Sequence, residues 1–264
     1  MLTSPPSILC FSGFDPTGGA GIQADIESIA SMGGHAVPVI TALTVQNTQN
    51  VARFQAVETP LFNEQVKKLL DDVSVKAIKI GMLGSLKIIE SINSILKQYS
   101  HLPVIYDPVL TAGGGSRLTE PGILDAIREL ILPQTTILTP NSPEARQLSN
   151  EEDLKNCGKK LMQSGCDAVL LTGTHEDNKH VDNLWFQEGH YVETFSWERL
   201  PHEYHGSGCT LASAIAALIA QGLDPFTAVN EAQDYSWNTL KHAFRISDKG
   251  QLIPHRFYWQ YSDE

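Results

Sequence analysis

The chain has 264 residues, of which 42% are hydrophobic and 19% are charged, a composition typical of a globular protein with a full core. Its formal net charge of -11 argues against the basic surface that nucleic acids and anionic membranes attract, so small-molecule chemistry is favoured. The amino terminus is a poor signal peptide, no apolar run reaches membrane-spanning length, and the four cysteines lack metal-type spacing. We therefore predict a cytoplasmic protein with reduced thiols and with no nucleic-acid or membrane partner.

Short β-rich runs alternate with helical patterns, which is typical of βαβ units around a buried parallel sheet. The predicted strands are residues 8–13, 37–45, 77–83, 103–110, 135–140 and 168–173, and helical patterns at 62–72 and 86–99 separate some of them. Residues 183–198 predict a β-hairpin at the sheet edge, two helices are predicted near 208–221 and 224–243, and the aromatic tail is expected to cover the core. No linker marks a boundary, so we predict one α/β domain spanning residues 1–264.

The first predicted strand is followed by a glycine-rich loop, "SGFDPTGGAGIQAD", at residues 12–25. A P-loop would need lysine and serine or threonine at the two positions after Gly18, which hold glycine and alanine, so that motif is excluded. Gly19, Gly21 and Ala24 fit a dinucleotide fingerprint, but the expected acidic residue about 20 positions later is missing. A dinucleotide loop and a plain structural turn stay open as alternatives. We favour a loop whose bare backbone lies close to a small ligand.

Polar side chains lie at the ends of the first two predicted strands. Asp15 and Asp25 flank the glycine-rich loop, where a helix N-cap or a surface position is the alternative to a functional role. Gln46 ends the second strand, at the edge of an open sheet where ligands collect. Its amide can both donate and accept, which suits an aminopyrimidine edge, although a turn residue is an equal alternative.

Two later segments carry polar groups beside prolines, "YDPVL" at 106–110 and "TPNSPEA" at 139–145. Asn141 and Glu144 are three residues apart at a predicted helix start, so both side chains can face one site. An amide and a carboxylate suit a water-rich Mg²⁺ ion. A simple helix cap explains the same pair equally well.

The segment "HGSGCT" at residues 205–210 runs directly into a helix of small apolar residues. Gly206 and Gly208 free the backbone to bend, and the N–H groups of Gly208 and Cys209 can then point at a phosphoryl group. A structural helix cap is the alternative.

Taken in order, "GFDPTGGAGIQAD", "VITALTVQNT", "KIGML", "DPVL", "TPNSPEA" and "HGSGCTLASAIAA" resemble hydroxymethylpyrimidine and phosphomethylpyrimidine kinases of the ribokinase-like superfamily. The likeness runs from residue 8 to about residue 243. It implies a three-layer α/β/α sandwich with a mostly parallel sheet, and a homodimer. It also implies transfer of phosphate from MgATP to the hydroxymethyl group of 4-amino-5-hydroxymethyl-2-methylpyrimidine, a thiamine precursor, and in many members to the monophosphate. A pyridoxal kinase of the same fold and a non-catalytic ligand-binding relative are the alternatives.

The resemblance also implies roles for individual residues. The aminopyrimidine would contact Gly13, Asp25, Gln46, Met82 and Val109. Asp107, Asn141 and Glu144 would serve Mg²⁺ and phosphates, and ATP would meet Asn141, Thr172 and Gly173. The catalytic anion hole would consist of Gly206, Gly208 and Cys209.

Cys209 stands where related sugar kinases carry an aspartate as general base, and a thiol near a helix N-terminus can have a lowered pKa. Three features depart from the family pattern and bear on the monophosphate reaction. Family members usually carry a lysine in the turn that holds Thr172 and Gly173, and the threonine in this chain is closer to the pattern of pyridoxal kinases. The loop at residues 111–117, TAGGGSR, differs from the family pattern, and Phe14 replaces a small residue.

Overall fold

In the computed structural model, residues 4–111 and 122–261 are described, so most of the 111–117 segment lies outside the described residues. The described residues form a nine-stranded sheet with the order β3-β2-β1-β4-β5-β6-β7-β8-β9. The strands are β1 (Ser7–Phe14), β2 (His35–Gln46), β3 (Val51–Ala56), β4 (Val75–Ile80), β5 (Val104–Tyr106), β6 (Ile137–Leu138), β7 (Ala168–Leu171), β8 (His180–Gln187) and β9 (His190–Glu198).

The six central strands, from β2 to β7 in the sheet order, pair in parallel. β3 pairs antiparallel with β2 at one edge, and β8 and β9 form an antiparallel hairpin at the other. This arrangement confirms the predicted parallel core and edge hairpin. β3 was not predicted, because its sequence VARFQA carries an exposed arginine and no long apolar run.

Helices cover both faces of this sheet. They are α1 (Gly21–Ser31), α2 (Thr59–Asp72), α3 (Leu86–Gln98), α4 (Ile123–Ala126), α5 (Ser142–Ser149), α6 (Leu154–Gln163), α7 (Ser207–Ala220) and α8 (Pro225–Lys241). Successive β1 side chains point to opposite faces, so Leu9 and Phe11 pack with α2 to α6, whereas Ile8 and Cys10 pack with α1, α7 and α8. The two cores confirm the expected three-layer α/β/α sandwich.

Four strands, β4 to β7, are shorter than predicted, and each stops where the site begins. β4 ends at Ile80, before the turn that contains Gly84 at a positive φ of 80°. β5 ends at Tyr106, two residues before Pro108, which has no N–H for a strand ladder. β6 comprises only Ile137–Leu138. The polar residues that follow are therefore released from the sheet at its carboxyl edge.

The tail packs against the molecule, as expected for a covering segment. Leu252 and Ile253 are buried and form single β-bridges with Tyr204 and Phe244, respectively. In the part of the chain that the structure describes, no helix is both long enough and apolar enough to cross a membrane.

Candidate active site

Asp15 organises the loop that follows β1. Its side chain is buried and accepts hydrogen bonds from the backbone N–H groups of Thr17 and Ala20, each at 2.8 Å. His205 Nε2 lies 2.8 Å from Asp15 Oδ2, and the Gln46 side chain also hydrogen-bonds to this carboxylate. Burial opposes ionisation, but these hydrogen bonds hold the pKa of Asp15 well below its ordinary value. Asp15 is thus an ionised buried group and not a surface residue.

The glycine-rich loop and the start of α7 touch through their backbones. Gly206 is the N-cap of α7 and has a φ of 88°, a conformation that favours glycine. A Cβ at this position would overlap the carbonyl group of Gly19. Two loops that are almost 190 residues apart in sequence therefore meet without an intervening side chain, and only glycine fits between them.

A small apolar cluster lies beside this junction. Met82 and Ala42 are buried, and the partly buried Val109 packs against them. A Cβ at Gly13 would lie 3.0 Å from Met82 Sδ, so the glycine leaves room for the methionine. The structure brings together Gly13, Met82 and Val109. Gln46, at the end of β2, hydrogen-bonds to Asp15, which directly follows β1.

Asp25, which the family resemblance places in contact with the pyrimidine, forms a buried ion pair in this structure. Its side chain is fully buried and pairs with the fully buried Lys79 of β4, with Nζ 2.7 Å from Oδ1. Ser12 donates to Oδ2 at 2.5 Å, and Ser213 of α7 donates to Oδ1 at 2.8 Å. Both carboxylate oxygens are engaged inside the protein. The expected direct contact between Asp25 and a pyrimidine stays a prediction.

Lys79 is a buried positive charge close to Cys209, one of the expected anion-hole residues. Burial opposes this charge, but Asp25, Cys209 and Asp107 together raise the pKa of Lys79 above its ordinary value. Burial raises the pKa of the half-buried Cys209 thiol to about 12, an effect that Lys79 opposes and Asp107 reinforces. The expectation of a lowered thiol pKa is therefore wrong, because burial and nearby carboxylates outweigh the helix N-terminus and the lysine.

Asp107 and Glu144 are two buried carboxyl groups, and the charge of Asp107 affects the ionisation of Glu144. Burial raises the pKa of both groups, and Asp107 further raises that of Glu144. Asp107 Oδ2 is buried without a hydrogen-bond partner among the described residues. Such a pair of carboxyl groups is suited to a divalent cation, which would relieve their repulsion.

Asn141 and Glu144 form a capping box at the start of α5. Asn141 Oδ1 accepts from the Glu144 N–H at 2.9 Å, and Glu144 Oε2 accepts from the Asn141 N–H at 3.0 Å. The backbone N–H of Leu110 donates to Glu144 Oε1 at 3.4 Å. The cap is thus present, and it directs the Glu144 carboxylate toward the segment that contains Asp107.

Asn141, Thr172 and Gly173 also lie together, at the ends of β6 and β7. Asn141 and Thr172 form a parallel β-bridge, and the Ser142 N–H donates to the Thr172 carbonyl oxygen at 3.0 Å. The Gly173 N–H donates to Asn183 Oδ1 of β8 at 3.0 Å.

The start of α7 faces Asp107. Gly206 has no side chain to cap the helix, and Gly208, in the first turn, is exposed. A Cβ at Gly208 would lie 3.5 Å from Asp107 Oδ1. The first-turn N–H groups of α7 and the orphaned Asp107 oxygen therefore border the same space, where an anion and a cation could be held side by side.

Comparison with known proteins agrees with this geometry. The family described as phosphomethylpyrimidine kinase matches residues 15–253. The chain belongs to this family. The hydroxymethylpyrimidine/phosphomethylpyrimidine kinase of Escherichia coli is 35% identical over 243 residues, 89% of this chain and 91% of that protein.

Solved structures of two related kinases have the same fold. Phosphomethylpyrimidine kinase from Clostridium difficile has a TM-score of 0.77 at 30% identity, covering 89% of this chain and 98% of that one. The pyridoxal kinase from Staphylococcus aureus in complex with AMP-PCP and pyridoxal has a TM-score of 0.88 at 25% identity, covering 98% and 96%. These neighbours confirm the ribokinase-like fold, and the chain is a phosphotransferase.

The sequence interpretation missed three residues that border this site. His205 lies inside the quoted segment HGSGCT but was not assigned a role. Lys79 could have been noticed as a lone lysine in the apolar run AIKIGML, since a buried strand tolerates such a charge only when it is paired. Arg256 lies in the aromatic tail, and its sequence surroundings gave no signal of a role.

The Asp25 assignment can be tested through stability. Asp25→Ala leaves the Lys79 ammonium buried and unpaired, so we expect the free energy of unfolding to fall by about 3–5 kcal/mol. Urea unfolding followed by circular dichroism measures this loss. The Asp25→Ala/Lys79→Met variant removes both charges and should recover most of it. An Asp25→Ala protein with wild-type stability, but with a raised KM for its alcohol substrate, would instead favour direct substrate contact.

Proposed function

We propose that this protein phosphorylates the hydroxymethyl group of 4-amino-5-hydroxymethyl-2-methylpyrimidine, with ATP as the phosphate donor and Mg²⁺ as the metal cofactor. The observation that carries this proposal is the position of the apolar Met82–Val109 cluster close to Asp107 and the start of α7, within a chain that belongs to the phosphomethylpyrimidine kinase family. An apolar surface fits a methylated aromatic ring, and a helix N-terminus fits a phosphoryl group.

The residues of this cluster and Gln46 can orient the ring by contact and by hydrogen bonding. Gly13, Met82 and Val109 would cover the apolar surface of the ring. The Gln46 amide, hydrogen-bonded to Asp15 in this structure, would recognise a ring nitrogen and the exocyclic amine. The 5-hydroxymethyl group would then extend toward Gly208 and Cys209.

The two buried carboxyl groups fit a magnesium ion. Among residues 4–111 and 122–261, no three Asp, Glu, His or Cys side chains are arranged to hold a metal by themselves. Mg²⁺ commonly takes one or two carboxylates and completes its shell with water and substrate phosphates. Asp107 and Glu144 would supply these ligands, and the ion would neutralise phosphate charge. Because Asn141 Oδ1 is engaged in the helix cap, the Asn141 amide N–H groups suit phosphate oxygens better than the metal.

Phosphoryl transfer depends mainly on positioning and on stabilisation of charge. The first-turn N–H groups of α7 would receive the transferring phosphoryl group, and Lys79 adds a fixed positive charge below them. ATP would extend toward Asn141, Thr172 and Gly173. The Cys209 thiol would orient the attacking hydroxyl group without removing its proton in the resting state, since the raised pKa keeps the thiol neutral.

Pyridoxal kinase activity is the second candidate. The solved pyridoxal kinase covers 98% of this chain at a TM-score of 0.88, and the family resemblance makes Thr172 closer to the pattern of pyridoxal kinases. Incubation of the pure protein with MgATP and either hydroxymethylpyrimidine or pyridoxal separates the two. ADP-linked product from the pyrimidine supports the first proposal. Product from pyridoxal alone favours the second, and ligand binding without turnover favours a non-catalytic relative.

We further propose that the protein is a cytoplasmic homodimer. The four free thiols support a reducing compartment, and the dimer rests on the family resemblance. Sedimentation equilibrium tests the oligomeric state directly.

Gln46 is the residue that we expect to control choice of ring. Gln46→Leu removes the amide, so we expect kcat/KM for the pyrimidine to fall by about tenfold or more, at a cost of about 1–3 kcal/mol, while KM for ATP stays nearly unchanged. Steady-state kinetics with each substrate varied in turn measures this. Gln49→Leu, the same change at an exposed position three residues later, is the matched control. Unchanged pyrimidine kinetics for Gln46→Leu would remove Gln46 from the ring site.

The thiol and the helix N-terminus of α7 can be separated by two substitutions. We expect Cys209→Ala to lower kcat by less than about tenfold, because loss of a general base would cost about 10²–10⁴-fold. We expect Gly208→Ala to fold normally, since its Cβ contact with Asp107 would be ordinary, and to lower kcat further, because the methyl group enters the proposed phosphoryl space. Pre-steady-state kinetics measures the rate of phosphoryl transfer for both variants, and circular dichroism checks that each variant folds. A loss of about 10³-fold for Cys209→Ala would restore the thiol as the base.

A further inference from the structure

Arg256 is a fully buried arginine in the C-terminal tail. Its guanidinium group is 0% exposed, although the residue follows α8 in an otherwise irregular segment. The tail is fixed around it, because Tyr235 Oη donates to the Arg256 carbonyl oxygen at 2.9 Å and the His255 N–H donates to the Thr239 carbonyl oxygen at 2.9 Å. These two hydrogen bonds fix the backbone from which the Arg256 side chain extends.

The guanidinium donates to the glycine-rich loop. Nη2 lies 2.5 Å from the Gly19 carbonyl oxygen, and Nη1 lies 3.5 Å from that of Gly18. Nη1 also contacts Glu27 Oε2 of α1 at 3.0 Å. These bonds fix the peptide groups of the loop on the side opposite to the Asp15 carboxylate, which accepts the Ala20 N–H.

The same guanidinium reaches the start of α7. Nε donates to Thr210 Oγ1 at 3.0 Å, and this hydroxyl donates to the Gly206 carbonyl oxygen at 2.8 Å. Gly206 and Gly19 are the two residues whose backbones touch where the loops meet. One side chain thus holds both partners of that contact, Gly19 directly and Gly206 through Thr210.

We propose that Arg256 is a positioning residue for phosphoryl transfer, whose guanidinium sets the glycine-rich loop against the N-terminus of α7. This inference rests on the proposed function of the site. Arginine is suited to the role because its planar fork presents several donors in a fixed geometry, which the single ammonium of lysine cannot match. Displacement of reacting groups by about 1 Å can cost about 10²-fold in rate, so a small shift between the two loops is sufficient to impair turnover.

Arg256→Ala tests the proposal, with Arg245→Ala as the matched control, because Arg245 is exposed in the same tail. We expect Arg256→Ala to lower kcat by about 10–100-fold at a temperature well below its melting transition, with a much smaller change in KM for ATP. Millimolar guanidinium chloride should restore part of kcat, whereas urea at the same concentration should not. Arg245→Ala should behave like the wild type in each measurement.

Hydrogen exchange gives a readout that does not depend on activity. In Arg256→Ala we expect faster amide exchange in residues 15–20 and in residues 206–210 together, with little change in β1 and β4. If the alanine variant does not fold, Arg256→Lys replaces it. Lysine keeps the buried charge but cannot reach Gly18, Gly19 and Thr210 at once, so we expect a folded protein with intermediate kcat and exchange.

The outcomes distinguish this inference from the proposed function. A wild-type protein that does not phosphorylate the pyrimidine contradicts the proposed function, while coupled exchange in the two loops still supports the structural part of the inference. A folded Arg256 variant with wild-type kcat and wild-type exchange overturns the inference alone. Loss of kcat without any guanidinium rescue or change in exchange also overturns it, because the loops would not have moved.

Discussion

The buried ion pair between Asp25 and Lys79 is the interaction on which the site depends. Asp25 lies on α1 and Lys79 on β4, while Ser12 of β1 and Ser213 of α7 complete the hydrogen bonding. Removal of two charges from water is costly, and good geometry with additional hydrogen bonds is what makes such a pair tolerable. The four elements β1, α1, β4 and α7 must therefore take fixed relative positions before this pair and its hydrogen bonds can form. The same elements carry the loops of the site.

The two loops above this pair are joined on two sides. At the partly exposed side, His205 bonds to Asp15, which in turn binds the backbone of the glycine-rich loop. At the buried side, Arg256 binds Gly19 and, through Thr210, Gly206. Between these connections the backbones of Gly19 and Gly206 are in contact, so no side chain lies between the two loops. The α7 N-terminus is thus held against the glycine-rich loop by hydrogen bonds to Asp15 and Arg256, on the two sides of a glycine contact.

The sequence was sufficient for the layer architecture because long apolar runs and helical periodicity are local signals. It predicted β1, β2, the edge hairpin and the last two helices, and it overestimated β5 and β6, where Pro108 and Pro140 follow short strands. It could not predict the role of Asp25, whose partner Lys79 lies 54 residues away and becomes a neighbour only in the folded sheet. For the same reason it misjudged the Cys209 thiol: the helix N-terminus is visible in the sequence, but the burial and the facing carboxylate are not.

These charges offer a physical reason for a cysteine at the start of α7. Asp25 already offsets Lys79, and Asp107 and Glu144 already contribute two buried carboxyl groups that face each other. An aspartate at position 209, as in related sugar kinases, would add a further negative charge to a site that must also accept phosphates. A neutral thiol keeps a polar side chain beside Asp107 without that charge, and burial keeps the thiol in its neutral form. The residue at this helix N-terminus is therefore constrained by the total charge of the buried site as much as by any proton that it could transfer.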